Sequence, residues 1–296
     1  MTKLLLQGAL TAIVTPFTKS GAVDFPAFRK LLNRQVNAGI NGIVVCGSTG
    51  EAVTLNDKEY AAVIKFAVKE VGGRVPVIAG AGSNNTARAI ELSKIAQAQG
   101  VVGLLHVTPF YNKPTPNGLV AHYKAICNAV PLPVILYNVP GRTGSNVLPE
   151  TVIRIAKEVP GMIAVKEASG NISQIRDIIK GAPRGFTVLS GDDALTYPAM
   201  KLGASGCISV VSNEVPEEFT ELCQSALRGD WKRARALHLR LLPLMDINFI
   251  ESNPLPVKAA LSMMGLIEES FRLPLVPMES RNKPKLKKCL QSLGLL

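Results

Sequence analysis

The chain has 296 residues, 47% of them apolar and 19% charged; this length suits two domains or a single α/β barrel of about 250 residues with an appendage, and the composition excludes a disordered or fibrous chain. The formal charge of +11 invites a nucleic-acid partner, but no zinc-knuckle spacing or RNP-like aromatic motif accompanies the basic run Arg281, Lys283, Lys285, Lys287 and Lys288, which reads as a solvated helix face. Five cysteines without a C-x-x-C and three scattered histidines argue against a disulfide framework and leave a metal site without ligands, and they suit a reducing cytoplasm.

At the N-terminus, Lys3 and the run Leu4-Leu5-Leu6 faintly resemble a secretory leader, but Gln7 interrupts them and no cleavage site follows. No run approaches the ~18 apolar residues of a membrane span. Residues 9–14 read as a first strand. A helical stripe follows in Phe28, Leu31, Leu32 and Val36, ending at Gly39. A second strand over 42–46 leads into Gly47-Ser48-Thr49-Gly50-Glu51. Asn56 and Glu59 then form a capping-box pattern ahead of Tyr60, Val63, Ile64, Ala67 and Val68, with Gly72 as the stop. Further apolar, β-branched runs over 75–79, 102–107, 134–137, 162–166, 186–189 and 207–211 bring the strands to eight, and Gly100 and Gly203 fall where helix caps belong. Continuous rather than alternating apolar strands imply parallel strands covered on both faces. An open, doubly wound sheet is the alternative, but Gly80-Ala81-Gly82 is an incomplete dinucleotide fingerprint. The expected fold is a (β/α)8 TIM barrel over residues 1–228. Past Gly229 the strand rhythm stops, and 231–242, 257–264 and 285–293 read as a C-terminal helical extension over 229–296, with Asn253-Pro254-Leu255-Pro256 and 273–277 as connectors.

In such a barrel the residues that follow the strands share one face, where chemistry collects. Lys166 closes the apolar run Met162-Ile163-Ala164-Val165. A lysine amine desolvated without a carboxylate shifts toward its neutral, nucleophilic form, which motivates a Schiff base; a snorkelling lysine, or one paired with Glu167, is the plain alternative. Ser48 and Thr49 offer two hydroxyls between glycines, suited to a carboxylate, although an ordinary turn has the same composition. Tyr111 follows the fourth strand. Tyr137 ends the fifth, where it is placed either to move protons or simply to pack. Arg142, between Pro140-Gly141 and Gly144, presents a planar fork for a second carboxylate, and Gly191 follows the seventh strand.

Over essentially its whole length the chain resembles the dihydrodipicolinate synthase family of the pyruvate-lysine aldolases. The GSTGE loop and the Lys166 strand are superfamily marks. Tyr137-Asn138-Val139-Pro140-Gly141-Arg142-Thr143-Gly144, Thr108-Pro109-Phe110-Tyr111-Asn112-Lys113-Pro114 and Asn253-Pro254-Leu255-Pro256-Val257-Lys258 are specific to the family. The resemblance implies condensation of pyruvate with L-aspartate 4-semialdehyde to 4-hydroxy-tetrahydrodipicolinate, on the diaminopimelate route to lysine. It implies an imine on Lys166 with no external cofactor or metal, a proton relay of Tyr137 and Thr49 completed by Tyr111 of a neighbouring subunit, and Arg142 on the semialdehyde carboxylate. It also implies main-chain contacts at Gly191 and Ile208, and a homotetramer built from tight dimers. Ser48 stands where many members have threonine and where lyase relatives have serine. N-acetylneuraminate lyase, a 2-keto-3-deoxy sugar acid aldolase and a non-catalytic pyruvate-binding barrel are the competing readings. In feedback-inhibited members a lysine site uses two histidines, an asparagine, a glutamate and a tyrosine. Only the asparagine is kept here, as Asn84; Asp57, Tyr60, Arg88 and Phe110 occupy the other positions, so weak or absent inhibition by lysine is expected.

Overall fold

The computed structural model describes residues 4–296, so Lys3 of the leader-like run lies outside the described residues. Strand and helix alternate through β1 (Gly8–Ala12), α1 (Phe25–Asn37), β2 (Gly42–Val45), α2 (Asp57–Val71), β3 (Val77–Gly80), α3 (Thr86–Ala98), β4 (Gly103–Val107) and α4 (Pro116–Ala129). They continue through β5 (Val134–Asn138), the single-turn α5 (Pro140–Thr143), α6 (Pro149–Glu158), β6 (Met162–Glu167), α7 (Ile172–Gly181), β7 (Thr187–Ser190), α8 (Thr196–Lys201), β8 (Gly206–Ser209) and α9 (Pro216–Leu227). The eight strands are parallel and closed, with β8 paired to β1. This is the (β/α)8 barrel expected from the sequence. Three more helices follow: α10 (Trp231–Ile247), α11 (Leu255–Met263) and α12 (Lys283–Leu293).

Each strand buries both faces, which explains its continuous apolar run. One set of side chains, including Leu10, Val44, Ile78, Ile135, Ala164 and Ile208, fills the barrel interior. The other set meets the helices, where Phe28, Tyr123 and Phe219 are fully buried; burying a side chain of this kind contributes about 1.5–3 kcal/mol. The stripe of α1 buries Phe28, Leu31 and Leu32 and adds Gln35, while Val36 is only half-buried. Asn56 and Glu59 form the full reciprocal capping box of α2, which ends on Gly72 in the left-handed conformation (φ +60°).

Strand ends depart from the sequence expectation for local reasons. Pro76 has no N–H to give a ladder, so β3 begins at Val77 rather than Val75. The chain leaves β8 at Ser209 because the buried Asp193 carboxylate captures the N–H groups of Val210 and Val211 at 3.0 and 2.8 Å. Pro243, a helix breaker by composition, sits inside α10, which runs on to Ile247. α10 packs on α9 and α12, and α12 buries Leu286 and Leu290 while Lys285, Lys287 and Lys288 stay exposed. No helix among the described residues is long and apolar enough to cross a membrane.

Candidate active site

Successive residues of a strand face opposite ways, and this separates Lys166 from Glu167. Lys166 points into the barrel at 4% exposure, and its Nζ lies 4.3 Å from the centroid of the Tyr137 ring. Tyr137 is its register partner on β5. Glu167 faces the helices and accepts hydrogen bonds from Asn138 Nδ2 (2.9 Å), Gln174 Nε2 (3.2 Å) and the Ser169 N–H (2.7 Å). Glu167 is therefore occupied elsewhere, and Lys166 forms no ion pair among the described residues. The Lys166 side chain is thus buried against the face of the Tyr137 ring with no carboxylate partner among the described residues.

Gly191, just after β7, donates its N–H to Glu167 O at 2.7 Å. A Cβ at this position would stand 2.8 Å from Lys166 Cε, so only glycine leaves the lysine stem its path. Ile208 is fully buried on β8 within the barrel interior.

The loop after β2 is tightly wound: Cys46 and Glu51, at its two ends, have φ of +53° and +51°. Between them Thr49 is buried, and its Oγ1 accepts a hydrogen bond from Asn253 Nδ2 at 2.9 Å. The same asparagine accepts through its backbone oxygen from Arg142 Nη2 at 2.8 Å. Arg142 projects from α5, and its bond to Asn253 O is its one side-chain hydrogen bond among the described residues. Asn253 thus joins the hydroxyl to the guanidinium.

Two cavities open here. One of about 340 Å³ lies between Ser48, Arg142, Asn253, Pro274 and Leu275. The other, about 270 Å³, runs from Tyr137 and Ser48 toward Tyr60, Arg88 and Phe110. They share the walls Ser48, Val53, Gly82, Val107 and Phe110. Lys166 lines neither; Tyr137, with the ammonium over its ring, links it to the smaller one.

Tyr111 is placed differently. It is 89% exposed with φ +70°, a costly backbone for a bulky residue, in a loop pinned by Asn112 Nδ2 to Asn84 O (2.8 Å) and by Asn84 Nδ2 to Phe110 O (3.2 Å). Tyr111 lines neither cavity.

At the far end of the smaller cavity Arg88 grips both carboxylate oxygens of Asp57, one of them at 3.0 Å, and bonds Glu91 at 2.7 Å. That hydrogen bonding holds the Asp57 carboxyl below its ordinary range. Tyr60 donates to Gly80 O at 2.8 Å, and burial pushes its phenol up.

Sequence reasoning overlooked roles for Glu51, Asn253, Lys258 and Arg272, all of which bear on this loop. Lys258 Nζ bonds Glu51 Oε1 at 2.6 Å with neither side chain exposed. The available signal was a lone lysine in the apolar stretch of α11.

The family model for the dihydrodipicolinate synthetase family matches residues 5–293. The 4-hydroxy-tetrahydrodipicolinate synthase of Maridesulfovibrio salexigens is 52% identical over 293 residues, covering 99% of this chain and all of that one. The dihydrodipicolinate synthase of Thermotoga maritima is 43% identical with a TM-score of 0.96, over 98% of this chain and 99% of its own. The chloride-inhibited dihydrodipicolinate synthase of Acinetobacter baumannii, solved with pyruvate, is 43% identical with a TM-score of 0.97, over 99% of this chain and 100% of its own.

Proposed function

Since the chain belongs to the dihydrodipicolinate synthetase family, we propose that it condenses pyruvate with L-aspartate 4-semialdehyde to 4-hydroxy-tetrahydrodipicolinate, through an imine on Lys166. The observation that carries this reading is the buried Lys166 amine, free of any carboxylate among the described residues and 4.3 Å from the Tyr137 ring.

The Lys166 amine attacks the pyruvate ketone, and loss of water gives the imine. Ser48 and Thr49 hold the carboxylate. The protonated imine is an electron sink that lets the methyl group lose a proton, and the resulting enamine attacks the aldehyde. The semialdehyde's own amine then adds to the imine carbon, closing the ring and releasing Lys166, so no external cofactor is consumed. Tyr137 and Thr49 carry protons between these steps, and Arg142 holds the second carboxylate across the larger cavity. Main-chain groups at Gly191 and Ile208 complete the pocket.

The exposure and left-handed backbone of Tyr111 support its entry into a neighbouring subunit's site, within tight dimers that pair into a homotetramer. The barrel over 1–228 carries the nucleophile, and the extension over 229–296 completes the site through Asn253. Five cysteines without a disulfide support a reducing, cytoplasmic setting.

Borohydride with pyruvate is expected to add mass to the wild-type chain and not to Lys166→Ala. Pyruvate consumption on adding the semialdehyde separates the synthase from a mere binder. Trapping without such consumption, but with cleavage of N-acetylneuraminate or a sugar acid, would overturn the assignment in favour of a sugar-acid aldolase.

Feedback by lysine is weak or absent in this reading. Asp57, beside Arg88, is committed to it, and a ligand's ammonium would have to compete with a guanidinium holding both its oxygens. Steady-state rates are expected to be flat in L-lysine through the millimolar range; potent inhibition below about one millimolar would refute this.

A further inference from the structure

Outside the reacting groups, a buried ion pair joins Lys258, on α11, to Glu51, which ends the loop that carries Ser48 and Thr49. Lys258 is fully buried. Its Nζ donates to Glu51 Oε1 at 2.6 Å and to Thr15 O at 3.2 Å, and lies 4.5 and 4.8 Å from the ring centroids of Phe17 and Phe271. The second Glu51 oxygen accepts the Arg272 N–H at 3.3 Å. Thr15 in turn donates its hydroxyl to Gly50 O at 2.8 Å. At Gly50 a Cβ would lie 3.2 Å from Ile13 O and from Thr15 Oγ1, so this turn is pressed against the end of β1.

We propose that Lys258 and Glu51, with Thr15, form a clamp by which the C-terminal extension sets the position of the Ser48–Thr49 loop, and that all three are positioning residues for pyruvate capture. The inference rests on the function proposed above.

A buried ion pair is weak evidence for stability, since apolar residues of similar volume often hold a fold as well. This pair is placed where position matters more than stability. Glu51 lies two residues after Thr49, in a left-handed conformation that leaves the turn little slack. Its carboxylate is tied from three parts of the chain: the α11 ammonium, the Arg272 backbone and, through Lys258, the end of β1. Neither Lys258 nor Glu51 reaches Lys166, so they act through Thr49. Arg272 adds a second tether by binding both carboxylate oxygens of Glu59, at 2.8 and 2.6 Å, on α2.

The test compares Lys258→Met, Glu51→Gln, the charge-free pair Lys258→Met with Glu51→Gln, and Thr15→Val. The last keeps the side chain's shape and removes only the hydroxyl that holds Gly50 O. Each is measured for its thermal midpoint, for KM and kcat with pyruvate, and for the rate of borohydride trapping. A misplacement of about 1 Å at a reacting group can cost up to about a hundredfold in rate. Lys258→Met is expected to slow trapping by about tenfold to a hundredfold with a raised pyruvate KM. Thr15→Val should raise pyruvate KM several-fold with a midpoint lowered less than that of Lys258→Met, which leaves a buried carboxylate unpaired. The double variant should recover much of the midpoint lost in Lys258→Met while trapping stays slow. The clamp is overturned if Thr15→Val and every folded charge variant trap pyruvate at the wild-type rate, whatever their midpoints. Failure of the wild-type chain itself to trap pyruvate would instead sink the functional reading beneath it.

Discussion

At the scale of a single side chain, Arg142 is the residue proposed to discriminate between substrates. Its anchor is one hydrogen bond to the Asn253 backbone, so the rest of the planar fork is free to meet a carboxylate in the larger cavity. Hydrogen bonds to a charged partner contribute about 1.5–3 kcal/mol, equivalent to about a tenfold to hundredfold effect on kcat/KM. Arg142→Ala is therefore expected to leave pyruvate trapping at its wild-type rate and to lower condensation with the semialdehyde by that factor. If pyruvate trapping fell in parallel, the guanidinium would be serving the first substrate and its assignment would be wrong. Lys166 and Glu167 show the same economy: adjacent carboxylate and ammonium never meet, because the pleat sends them to opposite faces.

At the scale of elements, the strand count, the parallel order and the capping of α2 were legible because each rests on a local pattern: a continuous β-branched run, or an Asn-x-x-Glu pair. Boundaries were less legible, since they depend on partners distant in sequence. β8 stops where Asp193, from the loop after β7, takes the next two N–H groups, and no feature of residues 207–211 announces this. Site residues divide along the same line. Lys166, Tyr137 and Arg142 stood out as unusual side chains at strand ends or between turn residues. Asn253 read only as part of a proline-rich connector, and its link to Thr49 spans 204 residues of sequence. Glu51 and Lys258, 207 residues apart, became a pair only once the chain had closed. Tyr111 is a third case. Its place in the motif was clear from the sequence, whereas its exposure and left-handed backbone are properties of the folded chain.

The whole molecule carries a buried carboxylate that makes its stability depend on pH. Glu214 is fully buried; Asn248 Nδ2 donates to its Oε2 at 2.6 Å, while Glu214 Oε1 and Asn248 Oδ1 have no partner among the described residues. Desolvation drives this carboxyl well above the ordinary range; Asn248 and Arg34 oppose the shift and Asp193 adds to it. The folded chain thus retains a proton that the unfolded chain releases above about pH 4.3. Stability carried by the protonated form is whole below that pH and declines as pH rises toward the raised value. Glu214→Gln supplies an acceptor and a donor with no proton to lose. It is expected to be more stable than wild type by about 1 kcal/mol at pH 8 in urea denaturation, with the advantage shrinking toward pH 4. Equal midpoints at pH 8 would show that the buried acid has no such effect.

The contacts of Asn253, Lys258 and Arg272 also order the molecule in time. A ribosome delivers the N-terminal part first, and at about 5–20 residues per second roughly a hundred residues separate Lys166 from Arg272, an interval of about 5 to 20 s. For most of that interval Lys166 has been synthesised, while Asn253, which bonds both Thr49 and Arg142, has not. A nascent chain halted short of Arg272 would hold all eight strands and still lack a finished pocket. On the function proposed above, the amine waits on these late contacts rather than on closure of the sheet.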